Sequence, residues 1–147
     1  MNDKTKILTY IENLLNVPLC AAQKSPDTEL YEFIFGEPII NQTPKNEKKN
    51  ETYVLHVVCE FDIIFRKEKR IKHFDSNTDH KEFHKCVELC INKLIHRVAI
   101  NETNQLWLDF GDIWVVLIPL ENGEEAWRFF ELRNGPHLVA SNLELGF

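Results

Sequence analysis

"LWLDFGDIWVVLI", residues 106–118, holds two runs of strand-forming residues on either side of Gly111-Asp112. Apolar residues at a period of two mark a strand, and a two-residue loop that begins with glycine suits a type II′ hairpin turn. Such a loop sets Phe110 opposite Ile113. Leu106, Leu108, Phe110, Ile113, Val115 and Leu117 then share one face, and Trp107, Asp109, Trp114, Val116 and Ile118 share the other. Both faces are apolar. One must pack on the core, and the second calls for a cover: a helix, or another protein for which exposed tryptophan is a typical anchor.

Downstream, "AWRFFEL" (126–132) and "HLVASNLEL" (137–145) follow turns at Asn122-Gly123 and Asn134-Gly135-Pro136, which extends the hairpin into an antiparallel meander over about 105–145. Upstream, Asp79 followed by Glu82 forms a capping box, and Phe83, Val87, Cys90, Ile91, Leu94 and Val98 form an apolar stripe. This pattern predicts a central helix over about 79–99. Ile7, Leu8, Ile11, Leu14 and Leu15 have helical spacing before Pro18, which predicts an N-terminal helix over about 3–16. "TELYEFIFGEPII" (28–40) reads as a short strand ending in a turn, and "NQTPKNEKKNET" (41–52), without an apolar residue, as an exposed loop. The expected fold is α+β: a single domain, 1–147, with an antiparallel, mostly meander sheet of five to seven strands packed with the N-terminal and central helices.

A chain of 147 residues is long enough to bury a core without disulfide staples, and its four cysteines do not form a disulfide framework. "MNDKTKILTYIENLLN" (1–16) lacks the features of a signal peptide, and no apolar run reaches the roughly 20 residues of a membrane helix. The expected location is cytoplasmic, with no membrane partner. A formal charge of −6 argues against a nucleic acid as the primary ligand and in favour of a basic protein partner.

"YVLHVVCEFDIIF" (53–65) places His56 three positions before Cys59, close to Glu60 and Asp62. In a regular strand the odd positions face the core, so Cys59 points inward while His56, Glu60 and Asp62 share the opposite face. A nucleophile and its base must come within hydrogen-bond reach, and metal ligands must converge, so the opposed pair supports neither a thiol–imidazole dyad nor a metal site. "RKEKR" (66–70) reads as a solvated hairpin tip leading to a partner strand at about Ile71 to Phe74. His80 and His84 are spaced i, i+4, as are Cys86 and Cys90. At about 100° per residue, His84 and Cys86 lie roughly 160° apart around a helix, which excludes one tetrahedral site built from all four.

No phosphate-binding loop, nucleophile elbow or CxxC pair occurs, so the expectation is a protein with no catalytic residue, cofactor or metal. Two surfaces remain as candidates. Trp107 and Trp114, ringed by Asp109, Asp112, Glu121, Glu124 and Glu125, would form an aromatic and acidic patch suited to a cationic protein. The alternative is a small-ligand or enzymatic site on the His56, Glu60 and Asp62 face. An intracellular adaptor domain is a third reading.

The ordered blocks "FIFG" (33–36), "YVLHVVCEFDII" (53–64), "LWLDFGDIWVVLIP" (106–119), "EEAWRFF" (124–130) and "PHLVAS" (136–141) resemble a family of small uncharacterised bacterial cytosolic proteins, over roughly residues 26–147. That family carries F-x-F-G, L-H-x-Q-C-x-W-R, a late W-R strand and a closing H-x-V strand. This chain departs from it at Val58, Phe61 and Asp62, where Gln, Trp and Arg would stand. More loosely, the chain resembles immunity proteins of bacterial toxin systems. That resemblance implies a non-catalytic inhibitor of a cognate toxin, with a nuclease-like, basic domain as its partner.

Overall fold

The computed structural model describes residues 3–25, 28–36, 52–133 and 135–147. Among them are two α-helices, α1 (Asp3–Ile11) and α2 (His80–Val87), and eleven strands. The strands are β1 (Leu19–Lys24), β2 (Tyr31–Gly36), β3 (Thr52–Val57), β4 (Glu60–Phe65), β5 (Arg70–Phe74), β6 (Arg97–Ile100), β7 (Leu106–Asp109), β8 (Ile113–Ile118), β9 (Trp127–Glu131), β10 (Leu138–Ala140) and β11 (Leu145–Gly146). The fold is α+β and its strand pairings are antiparallel, but the strands divide between two sheets where one was expected. One sheet has the order β1-β2-β3-β9-β10-β11 and the other β5-β4-β8-β7-β6.

The division arises inside the run 53–65, which has no glycine or proline to announce it. The amides of Val58 and Cys59 both donate to the Ala126 carbonyl, at 2.9 and 3.2 Å. Two residues opposing one is the arrangement of a bulge, which bends a strand and increases its twist. The chain leaves the first sheet at Val57 and enters the second at Glu60. Odd positions face inward on both sides of the bend: Tyr53, Leu55 and Val57 on β3, and Phe61, Ile63 and Phe65 on β4, are all buried.

The two inner faces meet in one core. Phe61 is fully buried at its centre, with ring centroids 4.8 Å from Tyr31, 4.9 Å from Phe74, 5.8 Å from Phe33 and 5.9 Å from Phe83. Most of these rings meet edge to face, the arrangement favoured by the aromatic quadrupole. The hairpin 106–118 has the expected register, with the Phe110 amide bonded to the Ile113 carbonyl at 2.9 Å. Gly111 has φ +95°, the positive angle that the first central position of a type II′ turn requires.

α1 buries Ile7 and Ile11, and the 3₁₀ turn Glu12–Leu14 that continues it buries Leu14. Tyr10 ties α1 to the first sheet, donating its hydroxyl to the Pro136 carbonyl at 2.7 Å and accepting from the Glu131 amide at 2.9 Å. The chain passes so close there that a Cβ on Gly135 would fall 2.5 Å from the Tyr10 hydroxyl. The helix α2 starts as predicted, with the Asp79 carboxylate accepting from the Lys81 amide at 3.0 Å. Glu82 pairs with Lys72 on β5.

The predicted helix over 79–99 ends early. After Val87 a 3₁₀ turn, Glu88–Cys90, leads to Asn92 at φ +70°, a left-handed conformation that asparagine tolerates and that terminates helices. The Asn92 amide then bonds to the Leu19 carbonyl at 2.7 Å, and Val98 lies opposite Leu108 in the second sheet. Tertiary pairing prevails over helical spacing at Ile91, Leu94 and Val98. β1 is an addition, formed where Pro18 reads only as a helix stop. Residues 41–51 of the expected loop lie outside the described residues, and Thr52 opens β3 as a buried residue. No described helix is long and apolar enough to cross a membrane.

The second sheet is contiguous in sequence, with all its strands between Glu60 and Ile118. The first is assembled from residues on both sides of that span, because β3 pairs with β9 from Tyr53↔Glu131 to Val57↔Trp127.

Candidate functional site

The bend at Val58-Cys59 separates the expected His56, Glu60 and Asp62 face. His56 lies on the outer face of the first sheet and the two acids on the outer face of the second. The His56 Nε2 meets Glu32 Oε2 at 2.8 Å, and Gln23 donates to the other oxygen of Glu32 at 2.9 Å. Opposite His56 on the neighbouring strand β9, Arg128 pairs with Glu125 at 2.5 Å and donates to His137 Nδ1 at 3.1 Å. The His137 ring stacks on Phe130 at 4.2 Å. The His56–Glu32 contact joins residues far apart in sequence and is fixed by the β2–β3 register, so only the strand pairing reveals it.

Glu60 and Asp62 turn instead to His73 on β5, where Asp62 and His73 are register partners. His73 Nδ1 lies 2.6 Å from Asp62 Oδ1, and His73 Nε2 lies 2.9 Å from Glu60 Oε1. Bonding to the Glu60 and then the Asp62 carboxylate raises the His73 pKa above its ordinary value. Asp75 completes the group: one ligand atom each from Glu60, His73 and Asp75 lies within 4.8 Å of the others. His73 and Asp75 carry no motif in sequence. The signal that would have found them is the β4–β5 hairpin register, which places His73 beside Asp62.

The cysteines play no part in either group. Burial pushes the Cys59 thiol up to about 12, and Cys90 is likewise pushed up by burial to about 12. Both are protonated at neutral pH and neither is an activated nucleophile. Cys59 is buried as expected, although it sits in the bend between β3 and β4. The His80 and His84 rings lie 6.1 Å apart on α2.

The outer face of the second sheet is the aromatic one. Trp107 and Trp114 meet at 5.8 Å with their planes 74° apart, and the Arg66 guanidinium lies 4.5 Å over the Trp114 ring. Val116 lies opposite Trp107, and Ile64 opposite Trp114. A hollow of about 260 Å³ opens here, lined by residues that include Arg97, Ala99, Trp107 and Trp114. The helix that was a possible cover does not pack here: α1 and α2 turn Ile7, Ile11, Phe83 and Val87 to the inner core. Both tryptophans are half-buried, and the Trp114 Nε1 is closed off with no hydrogen-bond partner among the described residues.

The acids do not form the expected ring. Asp109 and Asp112 stand at the β7–β8 turn, where the Asp109 carboxylate accepts from the Gly111 amide at 2.7 Å and Asp112 pairs with Lys67 at 3.2 Å. Glu121, Glu124 and Glu125 follow the other end of β8. At about 3.4 Å per residue, that strand puts roughly 17 Å between the two groups. Glu125, bonded to Arg128, belongs to the first sheet's outer face. The charges around the tryptophans are mixed, with Arg66 and Arg97 beside Asp109, since Arg97 and Asp109 are register partners. No protein-family model, curated protein or solved structure matches this chain.

Proposed function

We propose that this protein is a cytoplasmic, non-catalytic immunity protein that neutralises a bacterial toxin by binding it, with the outer face of the second sheet as its contact surface. The observation that carries this reading is the Trp107–Trp114 pair, half-buried on an apolar sheet face over which neither described helix packs. Paired aromatics of this kind are the usual anchors of a protein interface.

The net charge of −6 favours a basic partner such as a nuclease domain. It acts through the field of the whole surface, raising the rate of encounter, because the charges beside the tryptophans, Arg66 and Arg97 against Asp109, supply no net negative charge. The resemblance to immunity proteins points the same way.

The test is survival of cells that express the toxin-like domain encoded beside this gene, with and without this protein. Rescue by the wild type and its loss in a Trp107→Ala, Trp114→Ala double variant are expected. A toxic neighbour that the wild type does not neutralise would overturn the reading.

A further inference from the structure

We propose that Glu60, His73 and Asp75 form a binding site for a divalent first-row transition cation such as Zn2+, with Asp62 orienting the imidazole. One ligand atom from each of the three lies within 4.8 Å of the other two. Ligands of a tetrahedral zinc ion sit about 3.3 Å apart, so small side-chain movements close the set around an ion. One nitrogen and two carboxylates match the donors that zinc accepts, and a fourth position is left for water.

Asp62 gives the group more than an accumulation of acids. Metal-bound histidines nearly always give their second ring nitrogen to a carboxylate or carbonyl, which fixes the tautomer and strengthens the ligand. His73 has this arrangement: Nδ1 is held by Asp62 at 2.6 Å, and Nε2 is turned to Glu60. Asp62 is itself fixed between His73 and Val116 in the sheet. Asp75 is also positioned, because its Oδ1 accepts from the Asn77 amide at 2.9 Å and from the Thr78 hydroxyl at 3.3 Å, leaving Oδ2 for a ligand.

Among the described ion pairs the carboxylate charge is offset by His73 alone. Among the described residues no lysine or arginine pairs with Glu60, Asp62 or Asp75, and Lys24, beside the 75–78 turn, donates to the Ser76 and Thr78 carbonyls. A dication at Nε2 would offset the carboxylate charge more fully.

The experiment is calorimetric titration of zinc chloride into the full chain at neutral pH, repeated with variants whose folding is checked by circular dichroism. One equivalent should bind. His73→Ala and Glu60→Gln should each weaken binding about tenfold or more, and Asp62→Asn, which removes only the orienting group, by about 10- to 100-fold. A His80→Ala, His84→Ala double variant on α2 should bind as the wild type does. Absence of binding to the wild type, binding that survives His73→Ala, or binding lost with His80 and His84 would overturn the proposal.

Discussion

The two sheets are alike on the inside and opposed on the outside. Each inner face is built from alternate large residues of its central strands, and Phe61 belongs equally to the rings of β2, β5 and α2. The outer face of the first sheet carries paired polar groups, Gln23–Glu32–His56 and Glu125–Arg128–His137. The outer face of the second joins an apolar patch, Trp107, Trp114, Ile64 and Val116, to the polar Glu60–Asp62–His73 group. Folding accounts for the inner faces of both sheets and for most of the polar outer face, whose groups pair with one another apart from the Arg128 Nε, which is buried without a hydrogen-bond partner among the described residues. It does not account for the apolar patch around Trp107 and Trp114, and for this reason the functional argument rests there.

Mutations can break this comparison at its strongest point first. Phe61→Ala removes the ring that both inner faces share and should destabilise the chain by about 3–5 kcal/mol, lowering both sheets in one transition in urea. Two separate transitions would show that the sheets do not depend on a common core. Trp107→Ala should cost about 2 kcal/mol or more in affinity for the partner, whereas His56→Ala, on the opposite outer face, should leave that affinity unchanged. A reversed result in a binding titration would move the contact surface to the first sheet.

Smaller effects sharpen the picture. Asp79→Ala removes the cap of α2 and should cost about 1 kcal/mol in thermal or urea unfolding. A double-mutant cycle on Glu32 and His56 should give a coupling of about 0.2–1 kcal/mol, as expected for a partly exposed pair. The smallest effect is the pH dependence from His73, which faces Glu60, Asp62 and Asp75. Its folded pKa is raised above the value of about 6.5 for an unfolded histidine, so its contribution is complete below about pH 6.5 and is lost as pH rises through the folded value. Because the group is half exposed, a His73→Asn variant should lose less than about 1 kcal/mol of stability at low pH and almost none at high pH.

How much was legible in sequence follows from the range of each interaction. The 106–118 hairpin was readable to the individual residue, because a two-residue turn and a period of two fix register locally. The start of α2 was readable from Asp79 for the same reason. Its end was not, since Asn92 is held by Leu19, a residue far away in sequence, and nothing in the local spacing of Ile91, Leu94 and Val98 reports that contact. The bend at Val58-Cys59 depends on Ala126 and was equally invisible. That one distant carbonyl decides whether His56 and Glu60 share a face. The candidate site divides the same way: the tryptophan pair came from local alternation, while His73, Asp75 and the separation of the acids needed the assembled sheets.

The pairing of β3 with β9 also sets an order of events during synthesis. The ribosome delivers every strand of the second sheet before it delivers residues 127–131, so that sheet is complete in sequence while β3 still lacks its neighbour on one side. Until Trp127 to Glu131 emerge, the nascent chain carries an open strand edge that can pair with another chain. The interval is the time needed to translate from β4 to β9, and slow codons within that stretch would lengthen the exposure of β3 without altering a single residue of the finished protein.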